Sequence, residues 1–176
     1  MKMNKTRKIL VVAATILLVS VTAAWALTNY LTVSNTFTIG SVFNVGGVGL
    51  GINMGTTFSG TFASCTGTLP TLTCPNPSNP LFAGDQIAYV VYAETDKPSI
   101  SPVGTITAGG SFTQFTTGNF YQLAQGNNLA CTAPCTVNSG LPTTMATGQW
   151  YIFYITATIS TGAPTGSVTF NTNLGA

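Results

Sequence analysis

The chain has 176 residues, 45% hydrophobic and only 5% charged, with no histidine, whereas an ordinary soluble domain carries roughly 25% charged residues. That is enough apolar material for one domain with a real core. Four of the five basic residues (Lys2, Lys5, Arg7 and Lys8) precede residue 9, so the remainder holds Lys97 against Asp85, Glu94 and Asp96, a net charge of −2. No basic surface is left to neutralise phosphates, which excludes nucleic-acid binding.

The basic start runs into an uncharged apolar stretch from Ile9 to Val21, followed by Ala24-Trp25-Ala26. A charged n-region, an apolar h-region and a small-x-small site form a secretory signal peptide, here residues 1–26, with Ala24 and Ala26 at the cleavage site and Leu27 as the mature start. The alternative is an uncleaved anchor, since the run from Ile9 to Ala26 approaches the ~18 apolar residues a spanning helix needs. Contact with a membrane is thus expected only through the leader during export. Export puts Cys65, Cys74, Cys131 and Cys135 in an oxidising compartment, where an even set predicts disulfides. Three connectivities are open. Local pairing, Cys65 with Cys74 and Cys131 with Cys135, closes short loops rich in Thr, Pro and Gly and is favoured. Gaps of eight and three residues do not suit a four-thiolate zinc site.

After the leader, short β-branched and aromatic runs alternate with Gly, Asn, Pro and Ser clusters, the pattern of an all-β sandwich. From Leu27 to Val45 the odd positions are mostly apolar (Leu27, Leu31, Val33, Phe37, Ile39, Phe43, Val45) and the even ones mostly Thr, Ser, Asn and Gly. Period two marks half-buried extended chain. The stretch exceeds the usual strand length of about 5–6 residues, so two strands joined near Ser34 to Thr36 are expected. Val45 to Gly55 is Gly-rich and reads as a bulged strand or a loop. Thr57 to Ser64 is a short strand. Gly67 to Pro80, with Pro70, Pro75, Pro77 and Pro80, is expected to be irregular. Gln86 to Glu94 and Gln149 to Ser160 are apolar on both faces and belong at the centre of a sheet, with something packed over the outer side. Ser101 to Ala108, Ser111 to Thr117, Asn119 to Ala124 and Gly166 to Asn173 complete the strands.

Chemistry is scarce. Without histidine the usual general base and the commonest metal ligand are missing, and the cysteines have no imidazole partner. Asp85, after Gly84 and before a strand, reads as an Asx-turn acceptor. Glu94, Asp96 and Lys97 read as a solvated turn with a local ion pair. The expectation is a protein that is not an enzyme and uses no cofactor, metal or small-molecule substrate.

Three segments resemble a known family. Thr28-Asn29-Tyr30-Leu31-Thr32-Val33-Ser34-Asn35-Thr36-Phe37-Thr38-Ile39-Gly40-Ser41-Val42-Phe43-Asn44-Val45 is similar to the start of mature TasA/camelysin biofilm-matrix proteins. Leu81-Phe82-Ala83-Gly84-Asp85-Gln86-Ile87 resembles that family's turn into a central strand, with Ala83 in place of its usual proline. Gln149 to Ala157 resembles its late aromatic strand. The neutral, Thr-rich, cysteine-containing version looks closest to archaeal bundling pilins of the same fold. The peptidase activity ascribed to camelysin-type members finds no ligand set in a chain without histidine.

The resemblance implies a jelly-roll-like β-sandwich over residues 36–176 and an N-terminal donor strand over residues 27–35. That strand would leave its own domain, with the apolar teeth Leu27, Leu31 and Val33, and complete an open sheet in the next copy. The partner is the chain itself, in a head-to-tail homopolymer forming an extracellular filament at the cell surface. A surface of Thr, Ser, Asn and Gln adds lateral bundling into a biofilm matrix. The rival readings are a membrane-tethered surface-layer protein and a monomeric adhesin or carbohydrate-binding sandwich, with Tyr89, Tyr92, Trp150 and Tyr151 as stacking surfaces.

Overall fold

The structure, a computed structural model, describes residues 31–54, 62–109, 115–124, 137–161 and 166–176. The leader with Ala24 and Ala26, the mature start Leu27, and both Cys131 and Cys135 lie outside the described residues. So do most of the Thr57 to Ser64 segment and residues 111–114.

Among the described residues, alternating apolar and Thr-rich runs form eleven strands: β1 (Leu31–Ile39), β2 (Asn44–Ile52), β3 (Ala63–Ser64), β4 (Thr66–Thr68), β5 (Thr71–Cys74), β6 (Gln86–Glu94), β7 (Val103–Gly109), β8 (Phe115–Leu123), β9 (Val137–Ser139), β10 (Tyr151–Ile159) and β11 (Gly166–Gly175). They make two packed sheets, one ordered β4-β5-β1-β11-β7 and the other β3-β2-β6-β10-β8-β9. The expected all-β sandwich is what forms. Among the described strands every pairing is antiparallel except β1 with β11, which run parallel from Leu31 opposite Gly166 to Ile39 opposite Leu174. Parallel neighbours need a long crossover, and here the whole domain between Ile39 and Gly166 supplies it.

The core lies between the sheets. Ile87, Tyr89, Val91 and Ala93 of β6 and Phe153, Ile155 and Ala157 of β10 meet Phe37 and Ile39 of β1 and Val168, Phe170 and Leu174 of β11. The alternate residues of the two central strands, Ala88, Val90, Tyr92, Ile152 and Tyr154, are buried on the other face with Met54, as strands apolar on both sides require. The glycines of β2 make room there. A Cβ on Gly46 would run into the Tyr92 ring, and one on Gly51 would lie 2.6 Å from the Met54 sulfur. Without those atoms, Tyr92 and Trp150 stack at 4.3 Å beside β2.

Four boundaries differ from the sequence reading, each for a physical reason. The strand from Leu31 does not break at Ser34 to Thr36, because Asn35 keeps its place in the inward stripe and finds a partner in the core. The break comes at Gly40 to Phe43, where the Phe43 N–H donates to the Gly40 carbonyl (3.2 Å) and the chain crosses from one sheet to the other. Gly67 to Pro80 is not wholly irregular: β4 and β5 form a hairpin with Thr68 opposite Thr71. Pro70 sits in its turn, where a missing N–H costs no ladder bond, and its carbonyl accepts from the Ile39 N–H (2.8 Å). Asn119 to Ala124 is not separate from the run before it, since β8 continues from Phe115 through Gly118, which lies opposite Thr156. The short β9, paired to β8, carries no apolar run that would have announced it.

Cys65 and Cys74 form a disulfide across nine positions of sequence, the local pairing. Cys74 is buried in β5 opposite Asn35, while the Cys65 N–H donates to the Val48 carbonyl of β2 (2.9 Å). The bridge therefore ties the two sheets where the chain passes between them. A loop of this size predicts about 2–3 kcal/mol of stabilisation. Replacing Cys65 and Cys74 together by alanine should lower the free energy of unfolding by about that amount in urea titration, with little change in the far-ultraviolet dichroism.

Candidate functional site

Among the described residues the most constrained place is the slot between β5 and β11 that β1 fills. Its inward side chains follow from period two: Asn35, Phe37 and Ile39, which are 3%, 0% and 3% exposed. Phe37 lies opposite Leu72 on β5 and packs its ring 5.7 Å from that of Tyr89 on the facing sheet. Ile39 ends the strand against the hairpin turn. Outward, the Ser34 hydroxyl is 2.8 Å from that of Thr169.

Asn35 is the polar residue of this apolar stripe. The Tyr89 hydroxyl donates to its side-chain carbonyl at 2.5 Å, and its amide nitrogen finds no hydrogen-bond partner among the described residues. Because side chains alternate with period two, a one-residue slip of β1 would turn Phe37 and Ile39 outward and bury threonines. A two-residue slip would leave the Tyr89 hydroxyl facing Phe37 or Val33, without the Asn35 carbonyl that accepts its proton. Losing a buried partner costs about 1–3 kcal/mol, so the pair fixes the register of β1. Burial pushes the Tyr89 hydroxyl well above its ordinary value of 10.0, with nearby Thr172 opposing the shift.

Of the expected donor residues, Leu27 lies outside the described residues. Leu31 and Val33 sit in β1, their backbones opposite Gly166 and Val168. An open groove was expected in the lone domain, with residues 27–35 projecting away from it. Instead the chain closes the sheet with its own Leu31 to Ile39. The reason is plain in the pattern: a stripe fit to complete a neighbour's sheet is equally fit to complete its own.

Asp85 accepts from the Phe82 N–H (2.7 Å) and from the Asn53 side chain (2.9 Å), and its own N–H donates to the Phe82 carbonyl (3.0 Å). It therefore closes a Phe82–Asp85 β-turn with Gly84 at φ +93 instead of the expected Asx turn, in which the side chain would accept from the N–H two residues on. Glu94 ends β6 and is half-buried, outside the expected turn. Asp96 and Lys97 form an exposed ion pair at 3.4 Å. A cavity of about 680 Å³ lies between the end of β2 and the segment from Pro75 to Phe82, and its carboxylate, Asp85, is the one already engaged in that turn. Tyr89 and Tyr151 are core residues, 0% and 5% exposed, so neither offers a ring face to a sugar. Tyr92 is stacked on Trp150. What the sequence reading missed is Asn35. Its signal was a polar residue within an apolar stripe.

No family model matches the chain, and no curated protein or solved structure is significantly similar to it.

Two outcomes follow from the Tyr89–Asn35 pair. Tyr89→Phe should cost about 1–3 kcal/mol, because it strands a buried carbonyl; urea titration at neutral pH reads this directly. The phenol is neutral when protonated and its folded-state pKa is raised, so the folded state holds the proton more tightly. Stability should then stay flat below about pH 10 and fall as pH rises beyond it. Burial also pushes Tyr154 up, to about 12, so the alkaline fall in melting temperature should shrink in Tyr89→Phe without vanishing.

Proposed function

We propose that the chain is a structural subunit of an extracellular filament. Each copy gives its N-terminal strand to the sheet of the next, head to tail, and the filaments lie together in a cell-linking matrix. One observation carries this reading: the occupant of the β1 slot is written twice in the chain. Ser34-Asn35-Thr36-Phe37-Thr38-Ile39 holds the slot in the single chain. Directly before it, Thr28-Asn29-Tyr30-Leu31-Thr32-Val33 repeats the order of hydroxyl, Asn, variable residue, large apolar residue, Thr and branched residue. The segment after the leader thus has the chemistry of the strand seated between β5 and β11, with Asn29 equivalent to the register-fixing Asn35, and its Leu31 to Val33 already extend β1 along β11.

The way β1 is attached supports the same reading. Its covalent link to the sandwich is the Gly40 to Phe43 turn, and Phe43, 5% exposed, is anchored in the core at the far end of it. Pivoting about that turn, with both ladders of β1 broken, would release β1 as a unit and leave β5 and β11 with unpaired edges, which favours strand addition by another copy. Each strand seated buries two large apolar side chains worth ~1.5–3 kcal/mol apiece before ordering costs. The near absence of charge removes repulsion between neighbouring filaments. The signal-peptide pattern agrees with assembly outside the cell. Nothing in this reading needs a reaction, and the carbohydrate-binding alternative has lost Tyr89 and Tyr151 to the core.

Electron microscopy of the secreted protein tests the proposal. Fibres are expected from the mature chain. Deletion of residues 27–34 should abolish them and leave soluble monomers of reduced stability. Full-length fibres from that deletion would contradict strand exchange.

A further inference from the structure

Among the described residues, the outer face of the sheet built on β1 is the most unusual surface. Pairing registers align its outward residues in two rows that cross all five strands. One row runs Thr66, Thr73, Thr36, Asn171, Thr107, and the next Thr68, Thr71, Thr38, Asn173, Thr105. Every one is exposed except Thr36, which is half-buried. Four strands contribute a Thr-x-Thr and β11 contributes Asn171-Thr172-Asn173, in which Thr172 faces inward and is 1% exposed.

We propose that this threonine–asparagine lattice is the surface through which filaments adhere side by side, its partner being the same face on a second copy. This rests on the filament reading above and adds where and how lateral contact occurs.

The chemistry of the face selects that partner. A charged partner finds no opposite charge, since neither row contains Lys, Arg, Asp or Glu. A sugar chain finds no aromatic ring to stack on. A second copy finds a matched surface. Hydroxyls and carboxamides each donate and accept, so two identical lattices related by a twofold axis can satisfy one another, and the threonine methyls pack between them. Charged side chains are a common guard against unwanted association of exposed sheet edges, and neither row of this face carries one.

Area sets the behaviour. Strands about 4.8 Å apart and rows about 7 Å apart give roughly 300 Å² per copy, well below the ~800 Å² per partner of a stable interface. Single subunits should therefore stay apart in pairs. Filaments that repeat the face many times should hold by avidity. With no charge involved, that adhesion should be insensitive to salt.

The test uses the full-length protein with Thr71→Lys and Thr105→Lys, two outward residues of one row on β5 and β7. The control carries Thr117→Lys and Thr144→Lys, exposed threonines outside the lattice. Low-speed sedimentation and electron microscopy read bundling; high-speed sedimentation reads filament formation. The lattice variant should still form filaments, but its bundled fraction should fall at least tenfold at low ionic strength. Molar salt should restore it, as lysine repulsion is screened within about 3 Å. The control should bundle like the unmodified protein. Bundles that persist in the lattice variant, or that dissolve equally in the control, would overturn the lattice as the contact surface while leaving the filament intact. Bundling of unmodified filaments only when polysaccharide is added would assign the face to a glycan instead and overturn the self-pairing. Unmodified protein that makes no filaments at all would remove the filament reading and, with it, this proposal.

Discussion

The structure depends on a strand being seated between β5 and β11. Without β1, its sheet separates into the β4–β5 hairpin and the β11–β7 pair, and the apolar inner faces of Leu72, Phe170 and Leu174 lose the layer that joins them. Phe37 and Ile39 supply that layer, and the parallel ladder to β11 and the antiparallel ladder to β5 supply the hydrogen bonds. The seat is defined by pairing and side-chain pattern, and neither depends on which copy of the chain provides the strand. The same geometry that completes a lone domain is thereby available for joining two.

A strand held by pattern alone is exposed to slippage, and the buried Asn35–Tyr89 pair answers that hazard. An asparagine in a dry core gives up stability relative to an apolar residue of the same size, and its amide nitrogen is without a partner among the described residues. What it confers is register, the best-attested use of a buried polar group. The disulfide reinforces the same point: Cys74 pairs directly with Asn35 across the ladder, so the covalent tie between the sheets lies beside the residue that sets the alignment. Register, cross-link and ring packing converge on one stretch of β1.

Much of this was legible in the sequence. The all-β sandwich followed from periodicity, the central position of β6 and β10 from runs apolar on both faces, and the local disulfide from spacing. Asp85 was readable as a turn acceptor from its place after Gly84. What was not legible had two causes. Strand limits depend on tertiary partners: Asn35 looks like a strand end until Tyr89 is placed across from it, and the β4–β5 hairpin hides among prolines because its turn tolerates Pro70. Which chain a strand completes is not written in its side chains either, so the open groove expected of the lone domain proved to be closed. The tandem pattern in Thr28 to Ile39 was missed in the sequence, because six residues of hydroxyl, Asn and apolar types look like ordinary strand alternation until Ser34 to Ile39 is seen to fill a slot. Likewise the abundant threonine gained meaning only when the registers brought Thr-x-Thr segments from separate strands into rows.

The account makes β1 a unit that can leave its seat while the rest of the sandwich stays folded, and native-state hydrogen exchange of the single chain measures this most directly. The amides of Phe37 and Ile39 should exchange through a partial opening, with a lower free energy and a smaller denaturant dependence than those of Val90 and Phe153 in the central strands. If all four exchange only through global unfolding, with the same free energy and the same denaturant dependence, β1 is an inseparable part of its own domain and the account is contradicted.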